Sequence, residues 1–311
     1  MATRPIATDP GTDITACDRE PIHIPGAIQP HGLLLVVDAT TLGVVAGAGA
    51  IEEHLAAEWL GLPLSALLGD DVARMVADTP IGPGSTAAVM PVQGISERFA
   101  VTAHRIAGEH ILVELEPAVA DAPWGTGSSL GWLDAAVTSF ERTGDLPMLF
   151  DRAATTFRML TGFDRVMLYR FLDEDAGRVV AEARAAHLPS FLHHHFPASD
   201  IPKQARALYI RNRTRSIPDI DYVPAPLRPE GFETLDLSDV ALRSVSPIHI
   251  RYLKNMGVAA SASISIVKDG LLWGMIACHH DTPRRLSTEL RAAAAALAGA
   301  LARQIRGREE A

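Results

Sequence analysis

Phe196-Pro197-Ala198-Ser199-Asp200-Ile201-Pro202 sets a single acid between two prolines. Each proline fixes its own φ and biases the residue before it toward extended geometry. Asp200 is therefore expected on a stiff, non-helical bend, just ahead of a helix-like run from Lys203 to Tyr209. Two readings stay open: Ser199 or Asp200 caps that helix, or the acid serves a bound ligand. A second segment runs from Arg243 to Gly257, and as a helix it brings His249, Tyr252 and Met256 onto one face. A His and a Tyr so spaced are ligand contacts or core residues with satisfied polar tips. In the third, Trp273 to His280, strand alternation points His279 away from the side of Cys278 and His280. One of these histidines can then face a pocket while the other faces solvent. Cys278, in an apolar strand, reads as a buried structural thiol. Cys17 lies in a polar arm beside Asp18 and Arg19. It is an incidental surface thiol or a nucleophile, and only as a thiolate is it strongly nucleophilic. His193-His194-His195 invites a metal reading, but adjacent residues cannot all converge on one ion, so a surface or pocket-edge role is expected.

The chain around these segments has 311 residues, enough for two domains that each bury a core. With 48% hydrophobic and 21% charged residues it reads as globular. A net charge of −9 argues against a nucleic-acid surface. No apolar run is long enough to span a bilayer, and Met1 to Thr15 lacks the apolar centre of a secretory signal. Two distant cysteines fit a reducing compartment better than a disulfide framework. A cytoplasmic protein with no nucleic-acid or membrane partner is expected.

Hydrophobic patterning divides the chain into an arm over residues 1–16 and domains over 17–120 and 121–311. In the first domain, strands are expected at Leu33 to Val37 and Thr41 to Val45, followed by short helices around Ile51 to Leu55, Leu64 to Leu68 and Val72 to Val76. Three more strands are expected at Ala87 to Val92, Glu97 to Arg105 and His110 to Leu115. That order is the one a PAS-like domain has. After a Pro- and Gly-rich boundary at Pro117 to Ser128 come helices over Leu130 to Thr143 and Leu146 to Thr161. Strands follow at Asp164 to Phe171 and Gly177 to Arg184. Ile217 to Leu242, with repeated Pro and Asp, reads as a long insertion, and loops of that length are usually functional. A hairpin turning at Lys268-Asp269-Gly270 and a helix from Ser287 to Gly307 complete a GAF-type domain. The fold class is α+β, with antiparallel sheets flanked by helices.

These segments, in this order, resemble the chromophore-binding region of bacterial phytochromes. The resemblance runs from Cys17 almost to the end and takes in Ile22 to Gly32, Asp164 to Phe171, the proline segment and the His249 and His279 segments. It implies a PAS and a GAF domain that together hold biliverdin IXα, with the N-terminal arm knotted through the GAF insertion. Plant and cyanobacterial relatives bond their bilin through a Cys just before the His of a Ser-Pro-x-His stretch. Ile248 occupies that position here, which leaves Cys17 as the implied attachment point. Arg215 and Arg243 would clamp one propionate, with Tyr209 nearby, and Ser246, His249, Ser261 and Ser263 would surround the other. The main-chain carbonyl of Asp200, in the Asp200-Ile201-Pro202 turn, would face the pyrrole nitrogens, and His279 the terminal ring carbonyl. Tyr169, Phe191, Phe196 and Tyr252 would pack around the ring that isomerises, or serve simply as core aromatics.

Full-length relatives continue into a PHY domain and usually a histidine kinase, neither of which is expected after Ala311. The chain is thus expected to be a red/far-red photosensory module rather than an enzyme. No nucleophile–His–acid set, P-loop or metal-ligand pair is evident, so neither catalytic nor metal-binding residues are assigned. The alternatives are a near-infrared fluorescent reporter built on such a module and, further off, a non-covalent haem or small-ligand sensor. Intact Asp200, Tyr169 and Tyr252 favour a photoactive pocket over the reporter. The last helix is read as presenting small residues, Ala292 to Ala296, Ala298 and Ala300, with Arg303, so a monomer or weak homodimer is expected.

Overall fold

The computed structural model describes residues 20–105, 108–118, 128–172, 176–197 and 203–310. The expected arm, Cys17 and the Asp200-Ile201-Pro202 turn lie outside them. The N-terminal domain contains β1 (Ala27–Ile28), β2 (Leu33–Asp38), β3 (Val44–Ala48), α1 (Ile51–His54), α2 (Leu64–Leu68), α3 (Asp70–Ala77), β4 (Thr86–Gln93), β5 (Arg98–His104) and β6 (His110–Pro117). Five of these strands form an antiparallel sheet in the order β3-β2-β6-β5-β4. The second strand starts later than the pattern suggests. Asp38 Oδ1 accepts from Thr40 N, Thr41 N and Thr41 Oγ1 at 2.7–3.0 Å, which draws residues 39–43 into a turn with Leu42 at φ 56°.

β2 reads Leu-Leu-Leu-Val-Val without alternation because the sheet is covered on both faces. Leu33, Leu35 and Val37 pack with α1 to α3, while Leu34 and Val36 pack with Leu227, Leu237, Val240 and Leu242 of the insertion. The same parity on β6 turns Glu114 and Glu116 toward the rest of the chain, and each carboxylate meets a partner there. Glu114 accepts from the main-chain N–H of Ala241 (3.0 Å) and Leu242 (2.7 Å).

The remaining elements are α4 (Ser129–Glu141), α5 (Leu146–Thr161), β7 (Arg165–Phe171), β8 (Gly177–Arg184), β9 (His195–Phe196), α6 (Lys203–Arg211), β10 (Thr214–Ile217), β11 (Ala225–Pro226), α7 (Pro247–Asn255), β12 (Ala260–Lys268), β13 (Leu271–His280) and α8 (Thr288–Glu309). Six strands form the second sheet, in the order β10-β12-β13-β7-β8-β9. Asp269 and Gly270 both take positive φ between β12 and β13, the geometry that a two-residue type I′ hairpin requires. Edge strand β10 escapes sequence reading, since four residues centred on an arginine show no usable period.

Even-numbered residues of β12, β13 and β7 form one face: Ala260, Ala262, Ile264, Ile276, Cys278, Val166 and Leu168 pack beneath α4, α5 and α8. Ala293, Ala294 and Ala298 of α8 belong to that core, and Ala300 is buried as well. This corrects in part the expectation that the helix shows its small residues outward, since Ala292, Ala296 and Arg303 are exposed. Alanine here lets α8 lie close on β12. The odd-numbered face carries the polar and aromatic residues singled out above.

Residues 23–29 lie between the two limbs of the insertion. On one side β1 pairs with β11, and Leu227 N donates to Gly26 O at 2.9 Å. On the other, Gln29 N donates to Leu242 O (2.7 Å) and Ser244 N to Ala27 O (3.0 Å). The side chain of Gln29 also reaches Ser216 O on β10, at 3.0 Å.

Candidate functional site

Antiparallel register sets the odd-face residues in rows. Ser261 lies opposite Ile217 and His279, and His279 in turn opposite Arg165. The next row is Arg215, Ser263, Ala277 and Met167, and the one after contains Ser265, Met275 and Tyr169. Serine and alanine at the middle of the first two rows leave that part of the face low, and larger residues stand around it. Between Leu168 and Tyr169 the β7–β8 register slips, so Gly177 and Val179 stay on this face while Ala181 joins the helix side.

Ser246 caps α7, its Oγ accepting from Ile248 N at 3.2 Å, and Pro247 begins the helix where a missing N–H costs nothing. The same hydroxyl donates to Glu20 Oε2 at 2.5 Å, tying the first described residue to the start of this helix. On α7, His249 and Tyr252 stack with ring centroids 6.0 Å apart and planes 17° apart. Tyr252 therefore belongs with His249, among Ile217, Leu253 and Val258, while Tyr169, Phe191, Phe196 and Tyr209 gather in another cluster with Met167 and Met275.

His249 and His279 are each partly buried. Burial first, and then the charge of Arg215, pushes the His249 imidazole down to about 4. Burial, then Arg165, then His249 bring His279 down to about 3. Both are neutral near pH 7, so each offers one N–H donor and one acceptor nitrogen. His280 is not the simple solvent-facing residue of the pair. Its Nδ1 lies 2.7 Å from Asp164 Oδ2 and its ring 5.6 Å from that of Phe163. Cys278 is buried on the helix side, where desolvation pushes its thiol up to about 12.

Arg215 reaches across to the insertion, donating from Nη1 to Ala241 O (3.0 Å) and from Nη2 to the carbonyls of Arg243 and Ser244. Arg243 Nη1 donates to Leu237 O (3.2 Å) and Ser238 O (2.9 Å). Among the described residues neither guanidinium has a salt bridge. Burial and then mutual repulsion with Arg215 lower Arg243 to about 9, and burial lowers Arg215 as well. Both are thus held by main-chain carbonyls, with no carboxylate partner among the described residues. Tyr209, whose phenol is raised by burial, feels both charges and hydrogen-bonds Ser263.

Family models match along most of the chain: a PAS fold over residues 17–118 and a GAF domain over residues 145–306. The chain is 39% identical to the chromophore-binding domain of RpBphP3, an unusual bacteriophytochrome from R. palustris, and covers 98% of it with 94% of its own length at a TM-score of 0.84. The chain belongs to the bacteriophytochrome family. Its fold likewise matches the wild-type chromophore-binding domain of Stigmatella aurantiaca phytochrome P1, with 40% identity, a TM-score of 0.82 and coverage of 92% and 98% of the two chains. Two curated relatives are a bacteriophytochrome of Xanthomonas campestris (41% identity over 96% of this chain) and cyanobacterial phytochrome B of Nostoc (40% over 90%). This bacteriophytochrome chain spans 48% and 39% of their respective lengths.

Two residues important to this bacteriophytochrome site were not singled out in the sequence. Arg165 donates to Glu182 Oε1 (3.0 Å) and Pro189 O (2.6 Å), and its guanidinium lies 3.9 Å from the centre of the Phe191 ring. Glu182 also accepts from Ser190 Oγ (2.6 Å) and Phe191 N (3.2 Å). The pair thus fixes both the ring and the backbone of Phe191. Only the cross-strand register β7–β8 brings them together, and a single sequence does not display it.

Proposed function

We propose that this chain is the light-sensing, biliverdin-binding part of a bacteriophytochrome, holding the pigment covalently through Cys17. The observation that carries the reading is the pair Arg215 and Arg243, two deep guanidiniums without a carboxylate partner among the described residues. Biliverdin IXα brings two propionates, and guanidinium forks match carboxylates in bidentate geometry. The low Ser261, Ser263 and Ala277 surface fits a flat conjugated molecule laid over it. Ser246, His249, Ser261 and Ser263 would hold the second propionate. His279, neutral by burial, would hydrogen-bond the terminal ring carbonyl, and Tyr169, Phe191 and Phe196 on one side and Tyr252 on the other would bound the terminal ring. The carbonyl of Asp200, in the turn with Ile201 and Pro202, would accept from the pyrrole nitrogens. When bound, the bilin supplies the absorption of red light and the rotation about its C–D ring bridge.

Attachment at Cys17 would be a thioether, formed by adding S–H across a vinyl group with no atom lost. The hydrogen bond from Ser246 to Glu20, three residues after Cys17 in the chain, supports that reading. The bonding of residues 23–29 on both sides supports an arm threaded through the insertion. A PHY domain and a histidine kinase would be partners of this module in a longer protein, with the module itself monomeric or weakly dimeric. Cytoplasmic localisation follows from the same reading.

The propionate assignment is tested in a Cys17→Ser background, where binding is reversible. Arg243→Gln removes a charged hydrogen-bond donor, worth about 1.5–3 kcal/mol. Biliverdin should therefore bind roughly 10- to 100-fold more weakly, while its dimethyl ester should be little affected. Equal losses for both would reject the assignment.

A further inference from the structure

Gly177 opens β8 opposite Phe171 on one side and Phe196 on the other. A Cβ added at this glycine would overlap the Cζ, Oη and Cε1 atoms of Tyr169. The phenol thus occupies the volume where residue 177 would otherwise project a side chain. Phe171 closes one flank, with ring centroids 5.3 Å apart and planes 80° apart, and Phe196 the other at 6.0 Å. Val179, Met167 and Met275 complete the cluster, and Tyr169 is 7% exposed.

The backbone of Gly177 does not need glycine for its φ, since no positive value is found there. Its reason is space alone. Tyr169 stands on β7 between β8 and β13, with Val179 and Gly177 to one side and Met275 to the other. A ring refused the β8 side has the β13 side left, over Met275 and toward the Ser263–Ala277 row. That is the low part of the face, where the ligand reading above places the bilin.

We infer that Gly177 is a shape-determining residue of the site. By lacking a Cβ it parks the Tyr169 phenol over β8 and keeps the centre of the face clear for a flat ligand. The inference rests on the biliverdin reading for its ligand, but not for the packing itself.

A double-substitution cycle tests it: Gly177→Ala, Tyr169→Ala and both together. Without ligand, Gly177→Ala should destabilise the chain to urea when Tyr169 is present and much less when it is absent. Coupling of roughly tenfold in the unfolding equilibrium is expected, within the range for residues in contact. With biliverdin in a Cys17→Ser background, Gly177→Ala should weaken binding when Tyr169 is present, and much less, relative to Tyr169→Ala alone, when it is absent. If the Gly177→Ala defects persist undiminished without the Tyr169 ring, the inference is overturned. If the unsubstituted chain binds no biliverdin, the ligand reading fails, and the unfolding cycle alone judges the Gly177–Tyr169 packing.

Discussion

Cys17→Ser is expected to abolish covalent attachment completely, leaving biliverdin that denaturant releases. The other places from which a bond could come are closed for physical reasons. Ile248, just before His249, has no nucleophile. Cys278 faces α5 and α8 from the opposite side of the sheet, with its thiol pushed up to about 12 by burial. At pH 7 that leaves a thiolate fraction on the order of one part in 10⁵. Zinc-enhanced fluorescence on a denaturing gel reads the outcome: a bright band for the unsubstituted chain and for Cys278→Ala, and none for Cys17→Ser. A band that survives Cys17→Ser would end the attachment proposal.

The second large effect concerns the joint between the domains. Glu116 at the end of β6 accepts from Arg291 of α8 through both oxygens, one bond at 2.9 Å, and His31 Nε2 stands 3.8 Å away. Burial pushes this carboxyl up, yet Arg291 and His31 together bring it down to about 2, so it is ionised at any pH where the chain is handled. Arg291→Met should strand that buried charge and cost about 3–5 kcal/mol, the range for breaking a buried pair from one side. Glu116→Leu in addition should recover most of the loss, because two apolar groups no longer need each other. Urea midpoints of the three variants decide the matter. A single substitution as mild as an exposed ion pair, under about 1 kcal/mol, would show that the joint bears no such load.

Legibility in the sequence followed burial. Strands with one wet face alternated, as along β5, and the Asp269-Gly270 turn announced its hairpin. His249 and His279 were legible from helix spacing and strand alternation, whereas Arg215 and Arg243 entered only through the resemblance to bacterial phytochromes. Residues acting through others were not legible. Arg165 and Glu182 are seventeen positions apart and meet only across β7 and β8. Gly177 looks like any turn glycine until the Tyr169 ring lies over it. Neither Glu114 nor Glu116 was singled out in the sequence. Glu114 is buried because the insertion, which has no period of its own, folds back over that face, and Glu116 where Arg291 of α8 meets it. The helix α8 misled in part: Ala293, Ala294 and Ala298 lie in the core, while Ala292 and Ala296 do face outward.

The absorption spectrum of the chain with biliverdin, before and after red illumination, tests the central claim most directly. The account predicts a strong red or far-red band, absent from free biliverdin, that loses intensity and shifts under red light. A spectrum indistinguishable from free biliverdin, or a bound band indifferent to light, would contradict it.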